Sequence, residues 1–173
     1  VCAYNRLAYP SFLEAQARAG SEGGITSCFY SFTELIGSDW QQVYAAQELA
    51  RWGIANSLHP ISMAHRLIGL PASLNSDRRG AIDWHPAGAV FVGSGISQRG
   101  IPFAYQADWG SKGRWALEFN TPQAAYRMCP LEKLYSKTNP LGDWKEVAVT
   151  AFDGTVKAGI AEQVAAMFNQ NIR

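Results

Sequence analysis

The sequence has few cysteines, and their spacing excludes the frameworks that cysteines commonly build. Cys2, Cys28 and Cys129 are an odd set without close spacing. A disulfide framework needs an even set, and a structural zinc site needs closely spaced Cys or His ligands. His59 and His65 lie too far apart for one helical face to present them as an i, i+4 zinc pair. The sequence therefore predicts free, mostly buried thiols and no metal site.

Charge of one sign and long apolar runs are also missing. Charged residues make up 17% of the chain and the formal net charge is +1, which gives no broad attraction to nucleic acid or acidic lipid. No apolar run approaches the roughly 18 residues of a membrane helix, and the start lacks a signal-peptide pattern. We therefore expect neither a membrane nor a nucleic-acid partner. Because the chain begins with Val1, we expect a piece processed or excised from a longer protein.

What the sequence does contain is enough apolar material for one packed domain, since 47% of its 173 residues are hydrophobic. Local patterns predict strands at 1–9, 25–32, 87–92, 103–105, 114–119 and 146–150, and helices at 10–20, 38–53 and 59–69. A terminal helix is predicted from an apolar face of Val156, Ile160, Val164, Met167 and Phe168. The polar stretch 75–80 is predicted to be an exposed loop. These elements predict a mixed α+β fold with mainly antiparallel strand pairing.

Two helix starts carry the signature of a capping box, in which two side chains bond each other's backbone amides. Ser11 with Glu14 predicts the start of the first helix, and Ser38 with Gln41 predicts the start of the second. Gly20 and Gly53 are the predicted stops.

Three polar residues stand beside predicted strands in a recognisable order. Arg6 follows Tyr4-Asn5, Ser31 lies within Phe29-Tyr30-Ser31-Phe32-Thr33, and Glu146 follows Trp144-Lys145. In this order the chain resembles the toxin-type mono-ADP-ribosyltransferases, whose motif is an arginine on the first strand, a strand-end Ser-Phe-Thr or similar motif and a late glutamate. The resemblance spans nearly the whole chain and implies an ADP-ribosyltransferase-like α+β fold, with mainly antiparallel sheets around a cleft and flanking helices. It also implies that residues 1–173 form a single catalytic domain.

The resemblance also assigns a role to each residue. Arg6 would hold the pyrophosphate of NAD, which suits a planar guanidinium, with Phe32 and Thr33 completing the NAD-binding motif. Glu146 would stabilise the cationic ribose left by nicotinamide, and Ser31 would hold that carboxylate in place. The implied reaction cleaves NAD, as a substrate, at the nicotinamide bond and transfers ADP-ribose to a macromolecular acceptor.

The same resemblance implies a toxin or effector that is secreted or delivered into a target cell, with a cognate immunity or carrier protein as a partner. The sequence departs from the family pattern at two places. Trp144 stands where many members with a protein acceptor have Gln or Glu, which favours a glycohydrolase that passes ADP-ribose to water. The long separation of Ser31 from Glu146 implies an inserted segment, roughly His59 to Gly110.

Three other interpretations stay open at this point. Ser94, between Gly93 and Gly95, is a second candidate for the motif serine because it also follows an apolar strand. Cys28 is a candidate nucleophile of a cysteine-dependent hydrolase or deamidase, if His85 with Asp83 or Asp108 activates it. The third interpretation is a non-catalytic interaction domain of a larger secreted protein.

Overall fold

The computed structural model describes residues 4–149 and 158–168, and in this part eight strands form one mixed sheet. The strands are β1 (Ser27–Phe32), β2 (Pro71–Arg79), β3 (Val90–Ser97), β4 (Pro102–Asp108), β5 (Trp115–Asn120), β6 (Ala125–Met128), β7 (Tyr135–Lys137) and β8 (Lys145–Glu146). Their order across the sheet is β2-β3-β4-β1-β5-β6-β7-β8. β1 pairs with β4 in parallel, and the other six pairings are antiparallel.

The helices are α1 (Pro10–Ser21), α2 (Ser38–Val43), α3 (Ala46–Leu49), α4 (Leu58–Ile68) and α5 (Ile160–Phe168). A 3-10 turn covers Asn5–Ala8 and a π-helical turn covers Gly53–Ser57. α4 packs against β1 and β5, and its buried side chains include Met63 and Leu67. They meet the buried face of β1, where Cys28, Tyr30 and Phe32 alternate toward the core. None of the helices in the described ranges is long and apolar enough to cross a bilayer.

The predicted fold class is wrong, because the strands do not form separate sheets around a cleft as in an ADP-ribosyltransferase. β1 lies between β4 and β5 and joins the group β2-β3-β4 to the group β5-β6-β7-β8 in one continuous sheet. Local periodicity identifies a strand but does not say which strands become its neighbours. The decisive pairing is the parallel one between β1 and β4, which are far apart in the sequence.

The first helix and the first buried strand are confirmed, with α1 at Pro10–Ser21 and β1 at Ser27–Phe32. The predicted strand at 1–9 is wrong where it is described, since Asn5–Ala8 forms a 3-10 turn. Residues 1–3, including Cys2, lie outside the described residues. The capping box at α1 is also wrong, because the Ser11 hydroxyl donates to the Leu131 carbonyl at 2.8 Å and Glu14 instead pairs with Arg18 at 2.7 Å.

The predicted helix at 38–53 is broken. Tyr44 and Ala45 adopt extended conformations, with ψ of 141° and 148°, and separate α2 from α3. Trp40, Val43 and Tyr44 are exposed, so their helical spacing does not mark a face buried against the core. The helix predicted at 59–69 is confirmed as α4, which ends at Gly69 with a φ of +89°.

The stretch 75–80 was predicted to be a loop, but it lies mainly in β2, an edge strand. Nearly all of β2 is exposed, and it carries Asp77, Arg78 and Arg79. Charged side chains protect a sheet edge from pairing with other chains, and this polarity hides the strand from a hydrophobicity pattern. The segment His59 to Gly110, interpreted as an insertion, contains α4, β2, β3 and β4 and is integral to the sheet.

At the end of the chain, a helix is present as α5. Val156 and the side chains of Met167 and Phe168, which were assigned to its apolar face, lie outside the described part. The strand predicted at 146–150 is shorter than expected, since β8 is Lys145–Glu146, and Thr150 is also outside the described part.

Candidate functional site

A pocket of about 340 Å³ opens where β1 ends and β5 begins. The two strands are antiparallel, and Phe32 at the end of β1 faces Trp115 at the start of β5. Residues directly after β1 and directly before β5 therefore reach the same cavity. Its lining comes from several parts of the fold: Arg6, Thr33, Glu34, Leu35, Trp40, Tyr44, Asn56, Gly113, Arg114, Trp115, Pro130, Leu131 and Glu132.

Glu34, two residues past β1, accepts three side-chain hydrogen bonds at the wall of this pocket. The indole N–H of Trp52 donates to Glu34 Oε2 at 3.0 Å. The Asn56 amide donates to both carboxylate oxygens, at 3.0 Å and 2.8 Å. Burial raises the pKa of the Glu34 carboxyl above its usual value, while these hydrogen bonds and the positive charge of Arg6 act in the opposite direction.

Arg6 lies on a different element of the pocket wall, the 3-10 turn Asn5–Ala8. Its guanidinium carbon is 4.7 Å from the centre of the Trp115 ring, a cation–π contact. Asn5 anchors the same turn, because its amide donates to the Ala158 carbonyl at 3.1 Å just before α5. Arg6 therefore reaches the pocket from a 3-10 turn, and not from the strand that the sequence predicted at 1–9.

Histidine and aromatic rings border this arrangement. The His59 ring on α4 lies 6.1 Å from the Trp115 ring and 6.1 Å from the Tyr4 ring. On the other side, Trp40 and Tyr44 are partly exposed and contact the buried Trp52 ring at 6.0 Å and 5.2 Å. The pocket thus combines carboxylate, amide and guanidinium groups with aromatic faces, a composition that suits a small polar molecule with hydroxyl groups. Within the ranges 4–149 and 158–168, no group of three or more His, Cys, Asp or Glu is arranged to hold a metal ion.

The structure brings together some of the residues that the sequence singled out. Arg6 and Thr33 both line the pocket. Ser31 is buried, and its hydroxyl donates to Thr33 Oγ1 at 2.9 Å. Thr33 Oγ1 in turn accepts the Asp108 amide at 3.1 Å, so the two hydroxyls tie the ends of β1 and β4 together. Phe32 packs in the core against Tyr105 and Phe91, with ring centres 5.8 Å and 6.2 Å away.

Glu146 does not join these residues. It lies on β8, four strands across the sheet from β1, which corresponds to roughly 19 Å at the usual strand spacing. Its carboxylate is half-exposed and pairs with Lys133 at 3.0 Å. Arg6, Ser31 and Glu146 therefore do not form one cradle around a dinucleotide.

The alternative nucleophiles do not have the surroundings that their chemistry needs. Cys28 is buried in the core, and burial raises the pKa of its thiol to about 12, opposite to the shift of a reactive cysteine. The centre of the His85 ring lies 4.6 Å from the centre of the Trp109 ring, and His85 Nδ1 accepts a hydrogen bond from the Ala87 amide at 3.2 Å. Asp108 Oδ1 accepts the Gly110 amide at 2.9 Å, so this carboxylate supports a turn.

Ser94 lies in the middle of β3 and pairs with Asn75 and Ala104. Its glycine neighbours serve packing within the sheet. A Cβ on Gly93 would lie 2.5 Å from the Tyr105 ring, and a Cβ on Gly95 would collide with the Ser73 carbonyl of β2. The Gly-Ser-Gly sequence is therefore an interior strand segment and not a catalytic turn.

Glu34 and Asn56 are among the pocket residues that the sequence analysis did not select. Glu34 lies two residues after a buried strand, and this is the signal that could have identified it, because polar residues at strand ends gather at one edge of a sheet. Asn56 has no such signal, since the π-helical turn Gly53–Ser57 places it at the pocket.

Known structures resemble this fold closely, whereas no protein-family model matches the sequence and no curated protein matches it significantly. An oxidoreductase from Thermotoga maritima superposes with a TM-score of 0.74 at 11% identity, covering 98% of this chain and 51% of that one. Levoglucosan dehydrogenase in complex with NADH and levoglucosan gives a TM-score of 0.67 at 15% identity, covering 95% and 54%. An oxidoreductase from Agrobacterium radiobacter in complex with NAD⁺, L-tartaric acid and magnesium gives 0.68 at 16%, covering 96% and 52%.

These similarities correct the functional prediction. The chain has the fold of part of these oxidoreductases and spans about half the length of each. The predicted ADP-ribosyltransferase toxin or effector is wrong, and the glycohydrolase, cysteine-dependent hydrolase and interaction-domain alternatives do not match either. The structural neighbours give no support for an acceptor macromolecule or an immunity protein. At identities of 11–16%, the similarity establishes the fold alone.

Proposed function

We propose that this chain is the substrate-binding part of an NAD-dependent oxidoreductase that acts on a small polyhydroxylated molecule. The observation that carries the proposal is the similarity of 98% of the chain, at a TM-score of 0.74, to an oxidoreductase. Two of the similar structures contain NADH or NAD⁺ together with a hydroxylated compound. NAD would serve as a redox cofactor, and not as the cleaved substrate that the sequence suggested.

The residues described here do not fit the pyrophosphate of NAD. Dinucleotide-binding sheets are mostly parallel, with a glycine-rich turn between the first strand and a helix. In ranges 4–149 and 158–168 only β1 and β4 run in parallel, and the turn after β1 carries the Glu34 carboxylate. The four residues that follow β1, Thr33 to Ile36, include no glycine, so this turn lacks the phosphate cradle of a dinucleotide-binding fold. We propose that a separate unit of a longer protein holds the cofactor.

The pocket at the end of β1 has the properties expected of a substrate-binding site. Glu34, fixed by Trp52 and Asn56, has an oxygen that can accept a substrate hydroxyl. The rings of Trp40 and Tyr44 offer apolar faces to the C–H side of a sugar. A cavity of about 340 Å³ lies within the range of small-molecule sites.

Ligand-observed NMR on the purified chain tests the proposal, with NAD and a panel of neutral and acidic monosaccharides as separate probes. We expect at least one monosaccharide to bind, with Tyr44→Ala weakening the binding and Val43→Ala leaving it unchanged. Val43 is exposed on α2 but does not line the pocket. Tight binding of NAD by the chain alone, without binding of any sugar, would contradict the division of roles.

A further inference from the structure

The guanidinium groups of Arg6 and Arg114 are the two cationic donors that line the pocket. Both side chains line it, and neither donates a hydrogen bond or forms an ion pair within the described residues. A guanidinium carries five N–H donors and stays charged at any physiological pH. This donor capacity is available to a ligand.

The two carboxylates of the pocket already have partners from the protein. Glu34 accepts hydrogen bonds from Trp52 and Asn56, and Glu132 accepts the Tyr9 hydroxyl at 3.4 Å. The formal charges of Arg6, Arg114, Glu34 and Glu132 sum to zero. The acidic and the basic side chains differ, however, in their hydrogen bonds to the protein. The two carboxylates accept hydrogen bonds from the protein, whereas the two guanidinium groups donate none to the described residues.

Trp115 holds the Arg6 guanidinium by its face. A guanidinium stacked on an indole ring keeps its in-plane N–H groups for hydrogen bonds, and this fork matches the two oxygens of a carboxylate. The 4.7 Å contact therefore prepares Arg6 for a planar anion. Glu34, on another wall of the same cavity, suits a hydroxyl group.

We propose that the pocket selects a sugar acid. Its carboxylate pairs with the Arg6 guanidinium and faces Arg114, and its hydroxyl groups bond to Glu34. This inference rests on the proposed function, because it names the substrate class of the same site. Arg6 is then a specificity-determining residue.

Isothermal titration of the chain with D-glucuronate and D-glucose tests the inference, because these two sugars differ only at C6, carboxylate against hydroxymethyl. A bidentate charge-assisted contact predicts at least about tenfold tighter binding of glucuronate. Arg6→Gln should remove most of this preference while changing glucose binding less than about threefold. Arg66→Gln, an exposed arginine on α4 outside the pocket, is the matched control and should keep the preference.

The possible outcomes separate the inferred preference for a sugar acid from the proposed function. Equal affinity for glucuronate and glucose overturns the inference and leaves the proposed function standing, whereas no binding of either sugar, or of any other monosaccharide, contradicts both. D-glucose 6-phosphate is the third probe, and its binding more tightly than glucuronate would overturn the assignment of a carboxylate. If Arg6→Gln does not fold, Arg6→Lys keeps the charge without the fork and should lose most of the preference; full preference in that variant would contradict the role of Arg6.

Discussion

The indole N–H of Trp52 donates to Glu34 Oε2 at 3.0 Å and ties the segment after α3 to the end of β1. Trp52 is almost fully buried, so its indole N–H cannot easily exchange this hydrogen bond for one to water. The contact fixes a carboxylate at the wall of the pocket, and it also joins two parts of the chain that no local pattern connects.

Replacing Trp52 with Phe should destabilise the protein through the loss of this bond. A hydrogen bond to a charged group contributes about 1.5–3 kcal/mol, and its loss leaves Glu34 less well solvated. Trp109→Phe is the matched control, because it removes the same volume from another buried tryptophan whose indole N–H has no partner within the described residues. Chemical denaturation should show the larger loss for Trp52→Phe, and equal losses would mean that the bond contributes nothing.

The titration of Glu34 should appear in the dependence of stability on pH. Burial raises the pKa of Glu34 in the folded state above its ordinary value of 4.5, so the folded protein holds this proton more readily than the unfolded chain does. The contribution of Glu34 to stability is therefore lost as pH rises through the folded-state pKa. Glu34→Gln does not titrate there. The free energy of unfolding of the variant, relative to wild type, should increase between about pH 4 and about pH 7. A constant or decreasing difference would contradict the raised pKa.

Gly95 should not tolerate a side chain, because a Cβ there would collide with the Ser73 carbonyl of β2 and lie 3.0 Å from the Phe103 ring. Gly95→Ala should cost about 1–3 kcal/mol of stability. Gly20→Ala is the contrasting variant, since Gly20 lies in α1 with no atom near the position of a Cβ. It should stabilise the protein by up to about 1 kcal/mol. Thermal unfolding of both variants measures these opposite signs.

Glu146→Ala should have little effect on the protein. The ion pair with Lys133 is exposed, and exposed pairs contribute about 0–1 kcal/mol. Because Glu146 does not line the pocket, sugar binding should be unchanged. The denaturation midpoint and the sugar titration measure both effects. A large loss of binding would show that Glu146 acts on the pocket after all.

The sequence predicted the elements whose patterns are local. The apolar run before Phe32 predicted β1, and Pro10 with Gly20 predicted the extent of α1, because burial and chain stiffness act within a few residues. The same reasoning failed for β2, where polar side chains on an exposed edge resemble a loop, and for 38–53, where aromatic spacing resembles a helix face.

The sequence also placed Arg6 among the candidate functional residues, and the structure brings it to a pocket. Ser31 and Glu146, its predicted companions, match the motif by their order along the chain, which carries no information about distance in the sheet. Ser31 became a buried tie between strands, and Glu146 an exposed residue on a remote strand. Glu34 and Trp115 took their places because the two strands beside them are antiparallel neighbours.

The sequence by itself determined the apolar content that a packed core needs, the near-neutral charge and the positions of the local elements. The tertiary structure alone decided that β1 pairs in parallel with β4 and antiparallel with β5, and hence which side chains share the pocket. The physical reason is that propensity and periodicity act over a few residues, whereas strand order depends on the free energy of contacts between distant segments.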